Sequence, residues 1–182
     1  MAINNYLKID IDTVGHGIPV LVEGVAAYYK ESCIICLDHH SYSTGVLMMV
    51  SYGIEKEVQV FWTGEATDKM RKAYRDMKRT TDNAACAFAL LIMRDHGNYG
   101  IEQASADGST IDYYLSSTND DDTLIFNYSA RLEVSGILSE TEHNTTKKRI
   151  QAKKKRLKKD GNLKDIIVVV CFNPLKTEVI EV

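Results

Sequence analysis

The sequence predicts an α/β protein built on a mixed β-sheet flanked by helices. Three observations predict it. The apolar period switches along the chain between two residues and three to four, the periods of strand and helix. "DIIVVVCF", Asp165 to Phe172, is a continuous apolar run of the kind buried on both faces of a sheet. "ARLEVSG", Ala130 to Gly136, alternates instead, which puts Arg131, Glu133 and Ser135 on one polar face of a strand.

The elements follow in order. Residues from about Pro19 to Lys30 form a helix with proline near the first turn, and "SCIICLDHH" forms a short buried strand. "TGVLMMVSYG" and "KEVQVFWTG" are strands joined by "GIEK" as a hairpin. "EATDKMRKAYRDMKR" is a helix with Met70, Tyr74 and Met77 on its apolar side. "TTDNAACAFALLIMRDHG" is the next helix, capped by Thr80 or Thr81, with Asp82 in its positive first turn and Gly97 at its end. Three strands come after it, about Tyr99 to Ala106, "TIDYYLS", and about Thr123 to Ile137, with an Asp-Gly turn in "ADGST". A basic helix runs from Glu142 or Thr145 to Lys159 and stops at "DGN". "DIIVVVCF" and "KTEVIEV" are the last strands, the second at a sheet edge.

Composition excludes several classes. With 45% hydrophobic and 26% charged residues in 182, the chain reads as an ordinary globular protein with a sizeable core. No apolar run approaches a membrane span, and "MAINNYLKID" has no basic region followed by an apolar core, so a cytoplasmic protein without membrane partners is expected. Four cysteines make no disulfide framework, and free thiols are the expectation. The net charge of −3 hides an asymmetry: Lys147 to Lys159 holds nine basic residues and no acidic one, and the rest carries 13 basic against 25 acidic residues. Lys147, Lys148, Arg149, Lys155 and Arg156 are therefore candidate contacts to DNA or RNA. The alternative is a solvated helix face with lysine stems on the core.

The alternation in "TIDYYLS" sets Asp112 and Tyr114 opposite Ile111, Tyr113 and Leu115. If the strands of Asp112 and Glu133 pair, both carboxylates project from one face. Two hard oxygen ligands brought together suit Mg²⁺ or Mn²⁺.

The order helix, hairpin, third strand, helix, strand, with Asp112 on the second strand and Glu133 on the third, resembles the restriction-endonuclease-like PD-(D/E)XK superfamily over about residues 80–182. Residues 1–79 are then an N-terminal α/β extension, either separate from the core or continuous with it. The resemblance implies that Asp112 and Glu133 bind the catalytic metal, with Asp82 on the preceding helix as a third ligand. It also implies a lysine two residues after the glutamate, where this chain has Ser135, and a proline before the aspartate, where it has Ile111. Members of the superfamily sometimes bring the lysine from the following helix. Lys153 and Lys154 lie three and four residues beyond Ile150, on the buried side of that helix. Arg131 is a second substitute, able to clamp phosphate but not to act as a base. "GSTIDYYL" with "ARLEVSG" also resembles a group of uncharacterised bacterial proteins, which implies no function.

Other signals are weaker. "CLDHH" resembles the motif of DHH phosphoesterases, but the separate aspartate motifs are missing, so Asp38, His39 and His40 read as polar residues at a strand exit. Cys33 and Cys36, at odd spacing on a strand, fall on opposite faces with no second pair for zinc. Trp62, Tyr28, Tyr29, Tyr113 and Tyr114 suit either base stacking or core packing, and Asn119 to Asp122 suits either a cation or water. Two functions are expected. One is a Mg²⁺- or Mn²⁺-dependent nuclease in DNA processing or phage defence. The other is a degenerate nuclease fold serving as an interaction or adaptor subunit, or a homodimer.

Overall fold

The computed structural model describes residues 7–106, 110–117, 128–157 and 163–182. Its strands are β1 (Leu7–Asp10), β2 (Val46–Tyr52), β3 (Ile54–Phe61), β4 (Tyr99–Ala104), β5 (Tyr113–Ser117), β6 (Ala130–Ile137), β7 (Lys164–Phe172) and β8 (Leu175–Glu181). Its helices are α1 (Glu23–His39), α2 (Asp68–Ala73), α3 (Met77–His96) and α4 (Thr146–Arg156). One mixed sheet of eight strands runs β1-β3-β2-β8-β7-β6-β5-β4. β4, β5 and β6 form an antiparallel meander, and α4 carries the chain across to β7, parallel to β6. The N-terminal strands join the same sheet through β2, which pairs parallel with β8.

α3 lies on one face, against β6, β7, β4 and β1, and α1 packs on α3. Ala84, Phe88, Leu91 and Ile92 of α3 are fully buried against Leu132, Val134, Val168 and Phe172. α4 covers the other face, where Ile150 meets Ile137, Ile167, Val169 and Cys171, and its first residue, Thr146, donates to Glu178 of β8 at 2.7 Å.

The fold departs from expectation in several places, first at Pro19, which precedes α1 by four residues instead of standing near its first turn. The "SCIICLDHH" segment continues α1 rather than forming a strand. It is wedged against α3, so Ser32 to Leu37 are all buried, and a helix buried on every side shows the same unbroken apolar run as a buried strand. Cys33 and Cys36 therefore share a helix face toward α3, near Ala84 and Thr81. The helix expected through Arg79 breaks at Tyr74. The Asp76 carboxylate accepts the N–H of Arg79 and starts α3 there, so Thr80 and Thr81 are buried inside the helix and Asp82 stands beyond its first turn. The β2–β3 turn is tighter than "GIEK", closing on Gly53 at φ 71°, a left-handed conformation suited to glycine. Finally, β8 is no edge strand: β2 and β7 flank it. The turn at residues 107–109, Asn119 to Asp122, the start of the third strand at 123–127 and the "DGN" stop lie outside the described residues.

Candidate functional site

All eight residues of β6 are buried, the polar ones included. Arg131, Glu133 and Ser135 point to the α4 side, beside Asp165, Ile167 and Val169 of β7. Arg131 is engaged at once by Asp165: its Nε and Nη2 donate to the two carboxylate oxygens at 2.7 and 2.9 Å. Both side chains are at least 88% buried, so this is a closed, bidentate pair. The expected phosphate clamp is thus occupied within the protein, and Asp165 is a partner that sequence reasoning missed.

One step along the same face, Lys153 reaches in from α4. Its Nζ donates to Glu133 Oε1, and to the carbonyl of Val134 at 3.3 Å. Glu133 is 7% exposed and Lys153 19%. The other carboxylate oxygen, Oε2, is buried and has no hydrogen-bond partner among the described residues. α4 is held in place for this contact. Thr145 accepts the Lys148 N–H at 3.2 Å, and Glu140 accepts the Thr146 N–H at 2.7 Å. Ile150, one turn before Lys153, anchors the same side of the helix.

β5 begins only at Tyr113, and beyond it no described strand pairs with this edge of β6. Two carboxylates take the freed N–H groups. Asp112 Oδ2 accepts from Val134 at 2.7 Å, and Asp82 Oδ1 accepts from Gly136 at 3.3 Å. Asp112 also donates its own N–H to the Leu132 carbonyl at 2.9 Å, opposite the start of the Glu133 residue. Asp82 arrives from α3 because Gly136 has no side chain: a Cβ there would stand 2.5 Å from the Thr81 carbonyl oxygen. Burial raises the Asp112 carboxyl above the ordinary carboxylate range. The Val134 N–H and the Lys153 ammonium pull it down, and the charges of Glu133 and Asp82 push it up. Three carboxylates and one ammonium thus meet around the free edge of β6.

Lys154 is exposed and contacts neither carboxylate, as are Lys147, Lys148, Lys155 and Arg156. Lys148 donates to the Glu142 carbonyl at 2.7 Å, and Arg149 is half-buried and donates to Asn144 Oδ1 at 2.8 Å. A cavity of about 250 Å³ opens beside Asp82, with Lys78 on its α3 side and Arg149 on its α4 side.

No family model matches the chain, and neither a curated protein nor a solved structure is similar to it.

Among the described residues no three His, Cys, Asp or Glu side chains form a metal-ligand group, and Asp112 and Asp82 each accept a backbone N–H of β6. One acceptor is left over there: Glu133 Oε2 is buried and accepts nothing from the described residues. The histidines of "CLDHH" do not converge. Asp38 pairs with Arg71 at 3.1 Å, and His40 Nε2 meets the Leu138 carbonyl at 2.8 Å. The tyrosines are packing residues here: Tyr28 stacks on Tyr74, and Tyr29 bonds Tyr113 hydroxyl to hydroxyl at 2.6 Å. No helix among the described residues is long and apolar enough to cross a membrane. The signal for Gly136 was in the sequence, since glycine inside a strand marks a close backbone approach.

Proposed function

We propose that the protein is a metal-dependent phosphodiesterase that hydrolyses nucleic acid, with its site around the free edge of β6. The observation that carries this reading is the buried Glu133, paired through one oxygen to Lys153 and orphaned at the other, beside Asp112. The element order α3-β4-β5-β6-α4-β7 supports it, being the order the restriction-endonuclease-like resemblance implies. Asp112 and Glu133 would hold Mg²⁺ or Mn²⁺, with Asp82 as a third carboxylate. Such an ion polarises a phosphoryl oxygen and lowers the pKa of a bound water. Lys153 takes the place of the lysine that Ser135 lacks: an ammonium at this point stabilises negative charge growing on the phosphate. The exposed cations of α4 hold the backbone of DNA or RNA, so binding weakens as salt rises. A cytoplasmic role in DNA processing or phage defence goes with this chemistry.

The test is a Mn²⁺ titration of wild type and of Asp112→Ala/Glu133→Ala, with cleavage assayed on DNA and RNA. Wild-type cleavage that the double variant loses supports the assignment. Cleavage that the double variant retains overturns it. Ser135 at the lysine position favours a second reading, a non-catalytic adaptor, and absence of both cleavage and Mn²⁺ binding would establish that reading instead.

A further inference from the structure

The basic helix is not the only cationic element at this end of the molecule. Residues 69–79 carry six basic side chains, Lys69, Arg71, Lys72, Arg75, Lys78 and Arg79, against one acid, Asp76. They form the corner between α2 and α3, directly before Asp82. Arg71 is held by Asp38 and Asp68, and Arg79 lies over the Tyr28 ring at 6.0 Å. Arg75 and Lys78 are exposed, and no described residue pairs with their side chains.

This corner forms the wall of a furrow. Three cavities of about 600, 460 and 250 Å³ adjoin one another. The first two share Asp38 and Arg71 in their lining, and the second and third share Met77. The cavities therefore follow one another from Trp62 and Tyr42, past Arg75, to Lys78, Asp82 and Arg149, with the Asp38–Arg71 pair between the first two and Met77 between the last two. The far end of the furrow is aromatic with the acceptors Asp38 and Glu65, its middle is cationic, and its near end is the proposed catalytic edge.

That sequence of surfaces matches one strand of nucleic acid. We infer that the furrow is the track of a single nucleic-acid strand, its phosphates held by Arg75, Lys78 and Arg149 and an unpaired base stacked on Trp62. A duplex keeps its bases stacked inside and offers none to Trp62, whereas a single strand exposes both phosphates and ring faces. The inference rests on the phosphodiesterase reading for its substrate class, and strand binding is measured separately from cleavage.

Trp62 is the chain's single tryptophan, so its fluorescence reports the far end of the furrow alone. Titrating the whole protein with an oligothymidylate, without divalent metal, is expected to quench it, and duplex DNA of the same length is not. Arg75→Ala/Lys78→Ala is expected to weaken binding about tenfold and to flatten the salt dependence by about 1.4 in the log–log slope, two single-strand phosphate contacts. Trp62→Ala, followed by anisotropy of a labelled oligomer, is expected to lose about 5- to 150-fold. Strand binding is read without metal and cleavage with Mn²⁺, so binding without cleavage counts against the catalytic reading alone, and cleavage without the expected binding counts against the track. Unchanged fluorescence with the oligomer, equal or tighter duplex binding, or an Arg75→Ala/Lys78→Ala variant that is folded by circular dichroism and binds as wild type would each overturn the inference.

Discussion

Two ion pairs stand two residues apart on the same buried face of β6, and they are built differently. Arg131–Asp165 is a two-pronged pair in which both carboxylate oxygens are used. Lys153–Glu133 uses one oxygen and leaves the other buried with nothing to bond among the described residues. Desolvating a charge costs several kcal/mol, and only full pairing offsets it. A protein built for stability alone closes such a pair, as β6 and β7 do at Asp165. The open pair one step away is where acceptor capacity is held in reserve. The two pairs differ in the count of satisfied oxygens and hardly in burial, which is nearly the same for both carboxylates.

Breaking each pair sharpens the contrast. The largest effect is expected from Asp112→Ala/Glu133→Ala, which should lower the cleavage rate by about 10³-fold or more, the several kcal/mol that a polarising ion supplies. Arg131→Ala should instead unfold the protein by about 3–5 kcal/mol, because it strands Asp165, while Arg131→Met/Asp165→Leu should restore stability and keep cleavage. Urea melts and single-turnover rates read both. A folded Arg131→Met/Asp165→Leu variant that no longer cleaves would place Arg131 in the site and erase the contrast.

Smaller effects follow. Lys153→Met leaves Glu133 without its one partner and should cost about 1–3 kcal/mol in a denaturant melt, with Lys153→Arg recovering part of it. Gly136→Ala drives a methyl into the Thr81 carbonyl and should cost about 1–3 kcal/mol by pushing α3 off the strand. Asp112→Asn is the mildest. Burial, first, holds the Asp112 carboxyl above its ordinary 3.8, so the folded protein binds that proton more tightly than the unfolded chain. Stability therefore falls as pH rises from 3.8 through the raised native value. Asp112→Asn should melt above wild type at neutral pH, and the advantage should vanish in acid below that window.

The sequence made the local features legible and left the long-range ones hidden. Period-two alternation is visible in "ARLEVSG" and "TIDYYLS", so the approach of Asp112 to Glu133 can be read from two segments and one hairpin. Lys153 is legible because Ile150 marks the buried side of its helix. Asp165 is not, because its pairing with Arg131 depends on the register of strands 34 residues apart. The break at Tyr74 is hidden for a related reason: one capping carboxylate, Asp76, outweighs a run of good helix formers on both sides. Strand order is the least legible of all, and β8 was misplaced because "KTEVIEV" alternates like an edge while β2 covers its free side.

The position of β8 has a consequence for how the molecule comes together. Every neighbour of the sheet's inner seam, β2 on one side and β7 on the other, precedes it in the chain, yet neither group of strands touches the other without it. β1, β2 and β3 must wait, with an unpaired edge, until more than a hundred later residues have been made. Contacts across such spans form slowly, because the loop entropy is lost before the pairing is gained. The last-formed strand thus acts as a keystone, and a nascent chain halted before it would expose two open sheet edges ready to pair with a neighbour.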